Sequence, residues 1–431
     1  MNFSDLNLNK PLLDALEENE FLYPTPIQYT TFPIIMSGRD VIGIAQTGTG
    51  KTFAYLLPIL RLFQYSKSRN PKVLILVPTR ELVIQITEEI NKLTKYMPVR
   101  VLGVYGGTNI NTQKELVYEG LDILVGTPGR VIDLGLSGVL KLKDVRKLVI
   151  DEVDEIFQQG FRHQLITIFD MLPERRQNIL FSATVNPKVF ELADEYFMNP
   201  EVVEITPSGT PIDKIEQKAY RVPNFFTKIN FLNYLMDNEK YFEKVLIFIS
   251  IKRHADLVYD KLSAVHQDSC AVIHSNKSQN YRINSINQFE EGKVKYLIAT
   301  DVASRGLDFK DISHVINFDI PEEPRDYIHR IGRTGRADSG GVAISFISDR
   351  ERPFFDSIEL MMGKSVECFD MYDEVQIDTK LLDEENPKLY DKNYLPKLKN
   401  REKFGFKEKS EKNRKAFLRT LEKNKTNKRL K

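Results

Sequence analysis

Three carboxylates crowd into four positions at the end of an apolar run in "LVIDEVDEIF" (148–157): Asp151, Glu152 and Asp154. A solvated acidic turn has this composition, and so does a divalent metal site with a base beside it. Taken alone the stretch favours the turn, because short motifs match by chance. A second stretch shifts the balance. "AQTGTGKT" (45–52) follows the strand-like "DVIGI" and precedes the helix-like "FAYLLPILRLF". Glycines let backbone N–H groups curl around a phosphate, and a helix N-terminus adds a favourable dipole. Lys51 is placed to reach β- and γ-phosphates, and the Thr52 hydroxyl to bind Mg²⁺; the strict pattern has Gly where this chain has Ala45. With such a loop upstream, Asp151 can hold Mg²⁺ through water, and Glu152 can orient and deprotonate an attacking water. Cleavage of a γ-phosphate needs mostly positioning and charge stabilisation, which these groups supply. Asp154 is not needed for the metal and requires another role.

"YIHRIGRTGRA" (327–337) spaces His329, Arg333 and Arg336 by four and then three residues, which puts them on one face if the helix runs to Gly335. Two uses are open. Arginine clusters commonly face nucleic-acid phosphates. Alternatively, guanidinium groups supplied across a cleft stabilise charge on a transferring phosphoryl group. No phosphate loop occurs in this half, so supplying arginines to the first half's nucleotide is the economical reading. "MGKS" (362–365) is a decoy: Ile358 stands where the first Gly of the pattern belongs, and the stretch follows helix-like "FFDSIELMM" rather than a strand.

These residues need a scaffold that brings them together. "VLILVP" (73–78), "ILVGTP" (123–128), "LVID" (148–151) and "NILFSAT" (178–184) read as strands buried on both faces, separated by stretches of helical length. That alternation argues a parallel sheet in a doubly wound α/β fold. After "TPSGTP" (206–211), a Pro/Gly/Ser linker, the pattern begins again with "VLIFIS", "CAVIHS", "YLIATD", "HVINFD" and "VAISFI". The duplication is one of architecture, with no residue-level repeat. Ligands of open α/β sheets lie beyond the carboxyl ends of the strands. Asp151 and Glu152, "SAT" and "TPGR" all fall there.

At 431 residues the chain suggests two or three domains. The 42% hydrophobic and 28% charged composition is that of a soluble globular protein. The start lacks a signal-peptide pattern, and "FAYLLPIL" is too short to span a bilayer, so no membrane role is expected. Two cysteines, Cys270 and Cys368, exclude a disulfide framework or a Cys-rich zinc site and fit a reducing, cytoplasmic setting. The net charge of +1 conceals an asymmetry. Residues 386–431 carry 17 Lys/Arg against 5 Asp/Glu, a net of +12, which leaves −11 for the rest. The tail reads as a flexible or weakly helical basic arm, able to attract phosphate backbones without reading sequence.

Taken in order, "AQTGTGKT", "PTREL", "TPGR", "DEVD", "SAT", "ATDVASRGLD" and "HRIGRTGR" resemble the motifs of DEAD-box ATP-dependent RNA helicases, over roughly residues 1–365. The short N-terminus and compact core are most similar to the bacterial RhlE-type branch. The resemblance implies two tandem RecA-like domains that close on ATP and single-stranded RNA. The corresponding divisions are 1–205, a linker at 206–211, 212–366, a connector at 367–385 and the tail. In "FLYPTPIQ" (21–28), the adenine-selecting motif, Gln28 is expected to bond the adenine edge, with Phe21, Phe3 and Thr25 around it. Thr47, Gly48, Thr49, Gly50, Lys51 and Thr52 would hold the phosphates of ATP, and Thr52 and Asp151 the Mg²⁺. Asp308 would bind the ribose, and Arg333 and Arg336 would be the arginine fingers. Asp154, Ser182, Thr184 and His329 would link ATP closure to RNA, which gives the third carboxylate its role.

On the RNA side, Arg80, Gly107, Thr127 and Arg130 of the first domain, and Arg282 and Thr300 of the second, match contacts to phosphates and 2′-hydroxyls. Binding should therefore show little sequence preference. The implied activity is local unwinding of short RNA duplexes or remodelling of RNA–protein complexes, with ribosomal or mRNA-decay assemblies as partners. An ATP-gated RNA clamp and a DNA helicase of the wider superfamily are the rival readings. Intact Glu152, Arg333 and Arg336 speak against the first, and the adenine motif with "SAT" against the second. Three positions depart from the family pattern: Val153 replaces an alanine, and Glu20 and Ser275 each replace a glycine.

Overall fold

The computed structural model describes residues 2–45, 48–185, 187–205, 215–304, 309, 311–335 and 341–386. The first half builds seven strands: β1 (Val41–Ile44), β2 (Val73–Leu76), β3 (Val101–Val104), β4 (Ile123–Gly126), β5 (Lys147–Ile150), β6 (Gln177–Ser182) and β7 (Glu201–Glu204). The second half builds seven more: β8 (Ile215–Arg221), β9 (Val245–Phe248), β10 (Cys270–Ile273), β11 (Tyr296–Ala299), β12 (His314–Asn317), β13 (Gly341–Ile347) and β14 (Glu367–Asp370). All pairings are parallel. The strand orders are β3-β4-β2-β5-β6-β1-β7 and β10-β11-β9-β12-β13-β8-β14, which is one order written twice.

The central strands β1, β2, β4, β9, β11 and β12 are buried along their whole length, the signature of sheets covered by helices on both faces. Two apolar layers flank the first sheet and comparable layers flank the second. The ten strands anticipated from the sequence all form. The four that were not anticipated are β3, β7, β8 and β14. Three of these lie at sheet edges with partly exposed residues, and β8 alternates in burial, so none shows a continuous apolar run.

Two expectations are corrected. The stretch assigned to a connector, 367–385, supplies β14 to the second sheet and then packs back upon it. Val375 is buried in that core, the Asn224 side chain donates to the Asp378 carbonyl at 2.8 Å, and Glu385 accepts the Phe225 N–H at 2.8 Å. The helix of "YIHRIGRTGR" is Pro324–Ile331 and ends at Gly332, so helical spacing does not put Arg333 and Arg336 on a face with His329. The decoy "MGKS" is the end of the helix Arg352–Met362, with Gly363 in a left-handed cap at φ 65°. The expected linker and all of the basic tail after Asn386 lie outside the described residues.

Candidate active site

The side chains expected to catalyse and to couple come, in the first half, from the carboxyl ends of three neighbouring strands, β5, β6 and β1. From β1 the chain passes through the glycine loop into the helix Lys51–Arg61, whose N-cap is Gly50. Gly48 and Gly50 have φ of 82° and 83°, a left-handed backbone open to glycine at little cost. At Gly50 a side chain is doubly excluded, because a Cβ would come within 2.3 Å of the Gln28 amide nitrogen. Gln28 ties the stretch expected to select adenine to this loop: its Nε2 donates to the Gly50 carbonyl at 3.0 Å and its Oε1 accepts from the Thr25 N–H at 3.0 Å. Phe21 is 41% exposed and edge-on to Phe53 at 4.8 Å, whereas Phe3 is packed into the core.

From β5 the chain delivers Asp151 and Glu152. Glu152 adopts φ 50°, a strained conformation for a side chain with a Cβ, and caps the helix Val153–Gln158. Lys51, Asp151 and Glu152 are only 6%, 3% and 7% exposed. Asp151 Oδ1 accepts the Glu152 N–H at 2.9 Å, and Oδ2 accepts the Tyr55 hydroxyl at 3.0 Å. In contrast, Lys51 Nζ and Glu152 Oε2 are buried without a hydrogen-bond partner. Burial pushes the Glu152 carboxyl up to about 7, Lys51 and Arg333 opposing the shift and Asp151 adding to it. Burial also raises Asp151, against the pull of Lys51. A buried ammonium without a hydrogen bond, beside two carboxylates at a helix N-terminus, suits an anion that also brings a cation.

The donor set fits Mg²⁺. A hard ion of this kind is held by one or two carboxylates plus phosphate oxygens and keeps several waters. Asp151 and the Thr52 hydroxyl, with a polyphosphate on Lys51, are that set. Among the described residues no group of three or more His, Cys, Asp or Glu could enclose an ion without such a ligand.

From β6 come Ser182 and Thr184. The Thr184 hydroxyl donates to Asp154 Oδ2 at 3.0 Å, and the Ser182 hydroxyl donates to the Thr184 carbonyl at 2.8 Å, so the third carboxylate does join the "SAT" segment. Val153 is fully buried in the core. Arg333 of the second half is 4% exposed and close enough to Glu152 to act on its charge. Half-buried His329 lies in the last turn of the helix that precedes Arg333. Thr47, Asp308 and Arg336 lie outside the described residues.

The expected RNA contacts gather differently. Arg80, at the start of the helix Arg80–Leu93, lies flat against Gly107, where a Cβ would meet its Nη1 at 2.0 Å. Arg130, in the helix capped by Thr127, donates to Gln113 Oε1 at 2.8 Å and to the Thr108 carbonyl at 3.0 Å, bracing the Gly107 loop. Arg282 pairs across the two halves with Glu81 at 2.8 Å, and Gln279 adds a bond to the same carboxylate at 3.0 Å. Thr300 is buried at the end of β11.

Sequence reasoning passed over four polar residues here. Tyr55 and Glu81 were detectable: one lies a helical turn beyond Lys51, the other next to Arg80. Gln279, three before Arg282, gave no separate signal. Arg330 is almost wholly buried, bound to Asp301 and to the Asp319 carbonyl, and its role depends on a fold that no local pattern displays.

Residues 25–192 match the family model described as DEAD/DEAH box helicase, and residues 227–338 match the helicase conserved C-terminal domain. The chain is 38% identical over 372 residues to the ATP-dependent RNA helicase RhlB of Shewanella denitrificans, covering 84% of this chain and 85% of that one. It is 39% identical over 363 residues to the ATP-dependent RNA helicase CshA of Listeria monocytogenes, covering 83% and 68%. Among solved structures, Saccharomyces cerevisiae Dbp5 bound to RNA and ADP BeF3 superposes with a TM-score of 0.77 at 30% identity, covering 86% of this chain and 95% of that one. Mss116p bound to single-stranded RNA and AMP-PNP gives 0.74 at 29% identity, covering 85% and 78%.

Proposed function

The chain belongs to the DEAD-box family and is an ATP-hydrolysing RNA helicase; from that premise we propose how its own residues divide the work. It is an RNA-dependent ATPase that locally unwinds short duplexes or remodels RNA–protein complexes by closing two RecA-like halves on single-stranded RNA. The observation that carries the assignment of roles is the buried, unpartnered Lys51 ammonium beside Asp151 and Glu152, with Arg333 of the other half acting on Glu152.

In this reading Lys51 neutralises the β- and γ-phosphates, and the loop from Thr47 through Gly50 to Thr52 wraps them with backbone N–H groups. Glu152 orients a water for in-line attack and takes its proton. Burial keeps that carboxyl near neutrality, where a general base works best. Arg333 and Arg336 stabilise the charge that develops on the transferred group, and because they come from the second half, turnover requires closure. Mg²⁺ held near Thr52 and Asp151 would supply charge neutralisation on the phosphate oxygens. Gln28 and Phe21 select adenine, Phe3 supports them from the core, and Asp308 takes the ribose. Arg80, Gly107, Thr127, Arg130, Arg282 and Thr300 line the RNA path, while Asp154, Ser182, Thr184 and His329 relay closure to it. A place near the RhlE-type branch belongs to the same proposal, and the relatives compared carry RhlB and CshA names. A cytoplasmic location and an association with ribosomal or mRNA-decay assemblies belong to the same proposal. Among the described residues no helix is long and apolar enough to cross a membrane.

The test is ATP hydrolysis with no nucleic acid, with single-stranded RNA and with single-stranded DNA. Strong stimulation by RNA alone is expected, and equal rates in all three would remove the RNA coupling. Glu152→Gln should keep ATP and RNA affinity within about twofold while turnover falls by ~10² or more, the scale of losing a general base. Unchanged turnover would remove Glu152 from that role.

A further inference from the structure

Tyr55 is the buried polar side chain of the site to which the scheme above gives no part. It follows Lys51 by four residues on the helix Lys51–Arg61, so both side chains leave the same face. Its ring is wholly buried and tilted against Phe181 of β6, with 5.6 Å between centroids. Its hydroxyl donates to Asp151 Oδ2 at 3.0 Å. The phenol therefore joins the helix that carries Thr52 to the carboxylate of Asp151, the two groups whose oxygens suit Mg²⁺.

We propose that Tyr55 is a positioning residue for the metal: its hydroxyl ties Asp151 to the helix that carries Thr52 and sets the carboxylate's orientation before a nucleotide arrives. The proposal rests on the ATP-hydrolysing reading above. Both Asp151 oxygens are engaged, one by the Glu152 N–H and one by Tyr55, so the carboxylate cannot rotate without giving up a bond in a dry site. The geometry also spans three elements. The phosphate-loop helix carries Tyr55, β5 delivers Asp151, and β6, which packs on the ring, ends at Ser182. One side chain thus pins the loop that takes the phosphates to the strand that takes the metal.

The test is Tyr55→Phe in the full-length chain, which removes one oxygen and keeps the ring. The Mg²⁺ concentration for half-maximal RNA-stimulated ATP hydrolysis should rise roughly tenfold, the low end of what losing an outer partner of a metal ligand costs. RNA affinity, and the affinity for a fluorescent ADP analogue in EDTA, should stay within about twofold of wild type. The same analogue titrated with Mg²⁺ gives a readout independent of turnover: metal-dependent tightening should be weaker in the variant. An unchanged Mg²⁺ dependence in both measurements would overturn the proposal. A wild-type protein that RNA does not stimulate would instead overturn the functional reading, so the two failures are distinct. Should the variant not fold, 3-fluorotyrosine placed at position 55 keeps shape and hydrogen bonds. Its ¹⁹F resonance should move when Mg²⁺ is added to the AMP-PNP complex, and a resonance indifferent to Mg²⁺ would equally overturn the proposal.

Discussion

At the scale of the residue, the site trades stability for readiness. Glu152 is a buried acid with a left-handed backbone, and burial raises its carboxyl from an ordinary 4.5 to about 7. Between those values the folded chain binds more protons at this group than the unfolded chain does, so stability falls as pH rises through the interval. Glu152→Gln removes that titration. In the absence of nucleotide and metal the variant should be more stable than wild type at pH 8, on the order of 2 kcal/mol, with the difference closing towards pH 4.5. Thermal unfolding of both proteins at the two pH values checks this, and a gap that does not depend on pH would refute it. The carboxylates, the lysine and the "SAT" hydroxyls were legible in the sequence because short-range spacing fixes them at strand ends. Arg330 was not, because its partner Asp301 is 29 residues away, and Tyr55 could be placed a turn beyond Lys51 but not against Asp151, 96 residues away.

At the scale of the element, a departure from the family pattern acquires a physical cost. The helix Lys10–Glu18 ends with the Phe21 N–H bonded to the Leu16 carbonyl and the Glu20 N–H bonded to the Glu17 carbonyl, both at 3.0 Å. That is a Schellman cap, and Glu20 occupies its left-handed position at φ 58°, where glycine is the usual residue. Glu20→Gly should relieve about 1–2 kcal/mol of local strain and lose part of it to the freer unfolded chain. The net gain expected is about 0.5–1 kcal/mol, read from the denaturant midpoint, with ATP affinity unchanged; a loss of stability would refute it. The buried strands, β10 at a sheet edge among them, were readable as apolar runs, whereas β3, β7, β8 and β14 were not, since partly exposed segments carry a mixed pattern. The end of the helix before Arg333 was misjudged for another reason. Gly332 stops it, and the chain places that arginine by a turn rather than by helical spacing.

At the scale of the whole molecule, the described contact between halves that involves Glu81, Arg282 and Gln279 is buried and charged. Arg282 was expected to hold RNA, yet here its guanidinium is engaged by a carboxylate of the other half. Removing one partner of a buried pair leaves an uncompensated charge, and that cost falls on the joined arrangement rather than on either half. Glu81→Ala should raise the RNA concentration for half-maximal ATPase stimulation by about tenfold or more and leave the melting temperature nearly unchanged. A half-saturation point equal to wild type would reduce the pair to an incidental contact. The two sheets themselves share one strand order, with β7 and β14 at matching edges. During synthesis, such twins are exposed to a particular error: a strand of one copy can be captured by the nascent sheet of the other, the characteristic misassembly of tandem domains. The difference in sequence between the halves works against that error, because a misplaced strand meets side chains shaped for a different partner.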